Sequence, residues 1–251
     1  MIPTPIRQVL STIQTNGVQA LLMGGQACVF YGAAQFSKDV DLVLPAQGEN
    51  FTRLRAALEQ LNAKRVSVPP FDPALLASGH AVHFRCAAAG VEELRIDIMT
   101  RLRDLPAFSV LWERRTVIAG DGGEEFHLLS IPDLVAAKKT QRMKDWPIIE
   151  LLVAIHYREN AAAPRPEWVE FWLHEARSPE LLAELAQRFP TEARVQASRR
   201  PLLSLAFSGA SEALREALDA EVRAEQAKDR AYWAPLKAEL EAFRRAERTG
   251  A

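Results

Sequence analysis

The sequence predicts an α/β (α+β) protein in which a mixed β-sheet with flanking helices is followed by an all-helical C-terminal domain. Three observations carry this. An apolar run at Ala20 to Met23 leads through Gly24-Gly25 into a helix-like segment and then into a second apolar run, Asp39 to Leu44. Two more strand-like runs, His80 to Cys86 and Glu93 to Met99, flank an Ala-Ala-Gly turn, as the arms of a hairpin do. From Ser130 onward only helical periodicity remains. The domain boundary is therefore placed so that residues 1–130 hold the sheet and residues 131–251 the helices.

Taken in order, Thr4-Pro5 reads as an N-cap and first helical residue, with Ile6, Val9, Leu10 and Ile13 on one face and Gly17 ending the element. Gln26 to Gly32 reads as a short helix and Gly32 to Lys38 as a loop. Phe51, Leu54, Leu58 and Leu61 form one face of a helix that ends near Asn62. Arg65 to Val68 alternates as a strand, after which Pro69-Pro70 predicts an irregular surface excursion to Gly79. An amphipathic piece follows with Leu102, Leu105, Phe108, Leu111 and Trp112. Thr116 to Ala119 and Glu125 to Leu129 are strands joined by a Gly-Asp-Gly-Gly turn at 120–123.

The helical half opens with Ser130-Ile131-Pro132-Asp133, a capping-box pattern. Lys138 and Arg142, four residues apart, would share a helix face, with Lys139 turned about a hundred degrees away into solvent. Trp146 to Tyr157 is apolar on more than one face and is expected to be buried. Pro164, Pro166, Pro179, Pro190 and Pro201 divide the next stretch into short helices, and Pro235 is expected to kink or divide the last one, Ser211 to Arg248.

Composition narrows the function classes. The chain of 251 residues is 48% hydrophobic and 25% charged, the profile of an ordinary globular protein. Its 31 basic and 32 acidic residues leave a net charge of -1, so no global field recruits nucleic acid or an anionic membrane. Cys28 and Cys86 are too few and too far apart for a disulfide framework or a zinc site and are expected to be reduced core thiols, in keeping with a cytoplasmic location. His80 and His83 would fall on opposite faces of a strand, which argues against shared ligation. The N-terminus lacks the pattern of an export signal, and no apolar run is long enough to span a bilayer. Nucleophile-elbow, Walker-type and dinucleotide fingerprints are absent, which disfavours hydrolase and dehydrogenase readings.

The chemistry concentrates between Leu21 and Leu44. Period-2 alternation puts Asp39 and Asp41 on one strand face, with Val40 and Leu42 on the other. Two carboxylates aimed at one point repel unless a cation sits between them, and rigid oxygen-only ligands suit Mg²⁺. Gly24 and Gly25, lacking Cβ, would let backbone amides approach a phosphate where strand turns into helix. Together these describe a site for a nucleoside triphosphate with its metal.

Gly-Gly, a gap of about a dozen residues and Asp-x-Asp between apolar residues resemble the signature of the nucleotidyltransferase superfamily, the polymerase-beta-like enzymes. The resemblance implies a third carboxylate on a later strand, and Leu-Arg-Ile-Asp-Ile-Met offers Asp97, which shares its strand face with Arg95 and Met99. It implies Mg²⁺ bound by Asp39, Asp41 and Asp97 and transfer of a nucleotide from an NTP such as ATP (EC 2.7.7 type). Members of the family often carry an Arg four residues before the first Asp and a hydroxyl two before it; this chain has Gln35 and Ser37 there. Ser37 would either hydrogen-bond a phosphate or cap its own loop. The Lys138 to Asp145 run resembles that of minimal nucleotidyltransferases of abortive-infection toxin–antitoxin modules. Lys138 and Arg142 would then face the triphosphate, or else form a charged solvated face. By this resemblance the acceptor is RNA or protein, with a cognate antitoxin or other partner protein expected. The alternatives are a small-molecule, antibiotic-type adenylyltransferase and a catalytically silent binding protein of the same fold.

Overall fold

The computed structural model describes residues 4–120, 122–209 and 211–249; the Asp121 position of the expected turn and the first three residues of the N-terminal reading lie outside them. The chain forms two compact units, one from Met1–Ala137 with Tyr232–Ala251 and the other from Lys138–Ala231.

The first unit is built on seven strands: β1 (Leu21–Met23), β2 (Asp39–Val43), β3 (Lys64–Arg65), β4 (Val82–Arg85), β5 (Arg95–Met99), β6 (Thr116–Ala119) and β7 (Glu125–Leu128). They form one mixed sheet in the order β3-β4-β5-β2-β1-β7-β6. β2 with β5 and β1 with β7 are parallel, while the remaining neighbours are antiparallel. Among the described residues the strands are accompanied by α1 (Thr4–Thr15), α2 (Gly24–Phe30), α3 (Gly48–Gln60), α4 (Pro73–Ser78), α5 (Phe108–Glu113) and α6 (Ile131–Lys138).

One face of the sheet is the core. Val40 and Leu42 of β2, Val82 and Phe84 of β4, and Ile96 and Ile98 of β5 are all buried, each alternating with a more accessible polar side chain. Helices α1 and α3 present Ile6, Val9, Leu10, Ile13 and Phe51, Leu54, Leu58 as buried stripes at helical spacing. Phe51, Phe71 and Phe84 meet edge to face, with centroids 5.9 and 5.4 Å apart, which fixes α3 over the β4 side. Truncating a fully buried leucine such as Leu22 or Leu54 would cost about 2–5 kcal/mol.

The second unit contains α7 (Trp146–Asn160), α8 (Pro166–Glu175), α9 (Pro179–Arg188), α10 (Pro190–Gln196) and α11 (Leu203–Ser208). Proline opens α8, α9 and α10, where its missing N–H has no intrahelical partner to lose. Ser178 caps α9 by accepting from the Leu181 amide at 3.1 Å. Trp172 is fully buried there, against His156, Tyr157 and Phe189. The final helix, α12 (Ser211–Thr249), continues from the second unit into the first.

Several local expectations are corrected. The excursion after Pro69-Pro70 contains α4, because Asp72 caps its amides at 2.7 and 3.4 Å, Pro73 presets the first turn and Leu76 is drawn into the core. Gly79, at φ +110°, ends it in the left-handed conformation. The strand expected over 65–68 is limited to Lys64–Arg65. Helix α2 begins at Gly24 itself rather than at Gln26. Pro235 does not divide α12; losing one intrahelical bond does not end a helix with long helical segments on either side. Cys28 and Cys86 are both buried thiols that form no disulfide, and burial pushes the Cys86 thiol up to about 11. Among the described residues no helix is long and apolar enough to cross a membrane.

Candidate active site

Strand alternation and register together assemble an acidic face. Asp39 and Asp41 are half-buried and alternate with the buried Val40 and Leu42. β5 lies parallel to β2 in a register that pairs Asp41 with Asp97 and Asp39 with Arg95. On the far side of β5, antiparallel β4 sets His83 opposite Asp97, and β1 sets Met23 opposite Asp41. Directly paired residues on neighbouring strands share a face and lie about 5 Å apart. Met23, Asp41, Asp97 and His83 therefore form one row across the sheet, with Asp39 and Arg95 in the row beside it.

The glycines are explained by close approach. Gly24 has φ +67°, and a Cβ added to it would lie 1.9 Å from Asp41 Oδ2, 2.5 Å from Cγ and 2.7 Å from Cβ. A Cβ on Gly25 would lie 2.7 Å from Ser37 Oγ. The Gly-Gly turn is thus the surface against which Asp41 and Ser37 are seated, and no larger residue fits there without moving them. Helix α2 is only seven residues long, so the close contact rather than a helix terminus is the firm reason for the pair. Ser37 Oγ donates to the Asp39 carbonyl at 3.3 Å, the loop-capping arrangement.

Asp97 is held tightly. Its Oδ1 accepts from Arg95 Nε at 2.6 Å and lies 2.8 Å from His83 Nδ1. Burial raises the Asp97 pKa, but the hydrogen bonds and positive charge of His83 and Arg95 outweigh it and leave the carboxyl below its ordinary value. Arg95 in turn is pushed upward, first by its hydrogen bond to Asp97 and then, against the effect of burial, by the charges of Asp97, Asp39 and Asp41. Its guanidinium lies in the combined field of all three carboxylates. Arg95 Nη2 is also 2.9 Å from His83 Nδ1, and that single nitrogen either donates to Asp97 or accepts from Arg95.

The donor set suits a hard divalent cation, since three carboxylates share a face at adjacent register and Asp41 fills the space that a Cβ on Gly24 would take. Among the described residues, however, no group of three or more His, Cys, Asp or Glu side chains is drawn together in a metal-holding arrangement. Asp97 is turned to Arg95 and His83 instead.

Lys138 and Arg142 are placed differently from the sequence expectation. α6 ends at Lys138, so the two do not share a helix face. Lys138 is buried, and its Nζ lies 3.3 Å from Asp145 Oδ1; Arg142 Nε and Thr140 Oγ1 reach Asp145 Oδ2 at 2.9 and 2.6 Å. The turn winds around Asp145 because this one carboxylate satisfies all three donors. Burial raises the Asp145 pKa, yet Lys138, Thr140 and Arg142 together hold it below its ordinary value. Lys139 is also paired, with Glu175, and is not a solvated side chain.

Two residues of the acidic face were not singled out as candidates from the sequence: His83 and Arg95. Arg95 carried a signal, its position two residues before Asp97 on the same strand face. His83 carried none, because only the β4–β5 register brings it to Asp97.

No protein-family model matches the chain, and no curated protein matches it either. Among solved structures, it is similar to a solution structure of the antibiotic-resistance factor ANT(2'')-Ia, with 13% identity, 95% of this chain and 96% of that chain covered and a TM-score of 0.36. It is also similar to a crystal structure of ANT(2'')-Ia in complex with adenylyl-2''-tobramycin, with 15% identity, coverages of 86% and 95% and a TM-score of 0.33.

Proposed function

We propose that this chain is a divalent-metal-dependent nucleotidyltransferase that moves a nucleoside monophosphate from an NTP to a hydroxyl of a small-molecule acceptor. The observation that supports it is the placement of Asp39, Asp41 and Asp97 on one sheet face at adjacent register, with Asp41 seated against the Gly24 backbone. A bound Mg²⁺, held by Asp39, Asp41 and Asp97, would offset charge on the triphosphate and orient it. The acceptor hydroxyl attacks the α-phosphorus, the bond to the β-phosphate bridging oxygen breaks, and pyrophosphate leaves. Asp97, whose carboxyl lies below its ordinary value and is ionised at neutral pH, takes the hydroxyl proton. The Gly24 backbone borders the Asp41 side chain, Gly25 lies against Ser37, and Ser37 Oγ donates to the Asp39 backbone carbonyl.

A small acceptor is favoured by the near-zero net charge, which supplies no field for a polyanion. The run that suggested an RNA or protein acceptor has its cations, Lys138 and Arg142, bound to Asp145. The test is incubation with each α-labelled NTP and Mg²⁺, offering aminoglycosides or lincosamides in one arm and cell extract in the other. Label in a small product, lost with Asp41→Asn, supports the reading. Label in RNA or protein replaces the acceptor with a toxin-like or defence-type one. Absence of both product and Mg²⁺-dependent NTP binding overturns the enzyme reading in favour of a silent binding protein.

A further inference from the structure

Resting on the reading just given, we propose that Arg95 is a built-in counter-cation for the carboxylate face, which a divalent ion must displace in order to bind. Three anionic side chains on adjacent strands repel one another, and something positive must offset that repulsion in the metal-free protein. Arg95 is the register partner of Asp39, and it donates to Asp97 at 2.6 Å. Its side chain is 40% exposed against 16% for Asp97, so the guanidinium is the more solvent-accessible partner of the pair. The same contact ties Asp97 Oδ1 to Arg95 and not to a metal. A cation in that place opposes a second one by direct charge repulsion and by occupying Asp97 Oδ1, a hard donor the metal needs.

The consequence is that the affinity for a metal alone is set weak by design of the sheet, and that the triphosphate, which carries its own negative charge, makes displacement of Arg95 favourable. Metal and nucleotide then bind together rather than separately, since each lowers the electrostatic cost of the other.

The test uses Mn²⁺ alone as the probe, counted as free ion by electron paramagnetic resonance against the full-length chain, with no nucleotide and no acceptor. Arg95→Gln is expected to tighten Mn²⁺ binding by about tenfold or more, the size of removing one opposing charge at contact distance. Arg95→Lys, which keeps the charge, is expected to remain within about threefold of the unmodified protein. If Arg95→Gln does not fold by circular dichroism, Arg95→Met serves as the neutral variant of similar length. Arg85→Gln, which removes a strand cation that pairs with Glu93 instead, is the control and is expected to change nothing. Equal Mn²⁺ affinity in the unmodified protein and the neutral variant overturns the role of Arg95 and leaves the nucleotidyltransferase reading standing. Absence of Mn²⁺ binding in both also overturns the role of Arg95, whereas the nucleotidyltransferase reading falls only when Mg²⁺-dependent NTP binding is absent as well.

Discussion

Replacing Gly24 by alanine tests the seating of Asp41 most directly. Two penalties add. At φ +67° an L-residue in the left-handed region costs about 1 kcal/mol relative to glycine. The new methyl would then overlap Asp41 Oδ2, Cγ and Cβ at 1.9, 2.5 and 2.7 Å. The Cβ contact matters most, because that atom moves only with the β2 backbone, and β2 is hydrogen-bonded on both sides by β1 and β5. The strand cannot shift without breaking register, so Asp41 has to leave its rotamer and the loop has to open. A total loss of about 2–4 kcal/mol is expected, which in a chain of this size lowers Tm by about 2–4 °C per kcal/mol. The effect on the site is larger than on the fold, since displacement of a catalytic group by about 1 Å costs roughly a hundredfold in rate. Urea unfolding gives the first quantity and Mn²⁺ binding with nucleotide-transfer assays gives the second. If Gly24→Ala unfolds at the same urea concentration and binds Mn²⁺ unchanged, the close approach of Asp41 to this turn is not what the glycine is for.

Gly25→Ala is expected to be milder, because Gly25 lies outside the left-handed region and its methyl meets Ser37 Oγ, which can rotate; Gly25→Ala combined with Ser37→Ala should recover part of the loss in urea unfolding. Asp145→Ala leaves the buried Lys138 without its counter-charge and is expected to destabilise by about 3–5 kcal/mol by the same measurement. Burial pushes the His156 imidazole down from 6.5 to about 4, so on acidification the unfolded chain takes up the proton first. Stability is therefore complete above pH 6.5 and falls from there towards pH 4, by up to tenfold in the folding constant per pH unit. His156→Gln, which keeps an acceptor for Trp172 Nε1, should flatten that limb of the pH–stability curve. Asp97 and Asp145 have depressed carboxyls, whose contribution is present above their unfolded value of 3.8 and is lost below it. Asp145→Asn should remove part of the unfolding seen in that lower window.

How much of this could be read in advance follows the range of the interactions. Alternation within a strand is a property of the chain itself, so the common face of Asp39 and Asp41 and the buried Ile96 and Ile98 on either side of Asp97 follow from sequence alone. So do the Ser130 cap, where Ser130 Oγ accepts from the Asp133 amide at 3.4 Å, and the proline starts of α8, α9 and α10. The sequence was misleading where local punctuation competed with packing. Pro69-Pro70 suggested irregular chain, but burial of Leu76 and the Asp72 cap made a helix. The four-residue spacing of Lys138 and Arg142 suggested a shared helix face, but Asp145 drew both donors into a turn.

What only the tertiary structure decided is register between strands distant in sequence. β2 and β5 are parallel and separated by more than fifty residues, and nothing local specifies that Asp41 pairs with Asp97 rather than with a neighbour. A slip of one residue would have sent Asp97 into the core and Ile96 or Ile98 to the acidic face. Burial of Val40, Leu42, Ile96, Ile98, Val82 and Phe84 on the opposite face excludes any such one-residue slip. That alignment brings His83 and Arg95 to Asp97. The composition of the acidic face is thus written in the sequence, while its charge balance is settled by the core behind it.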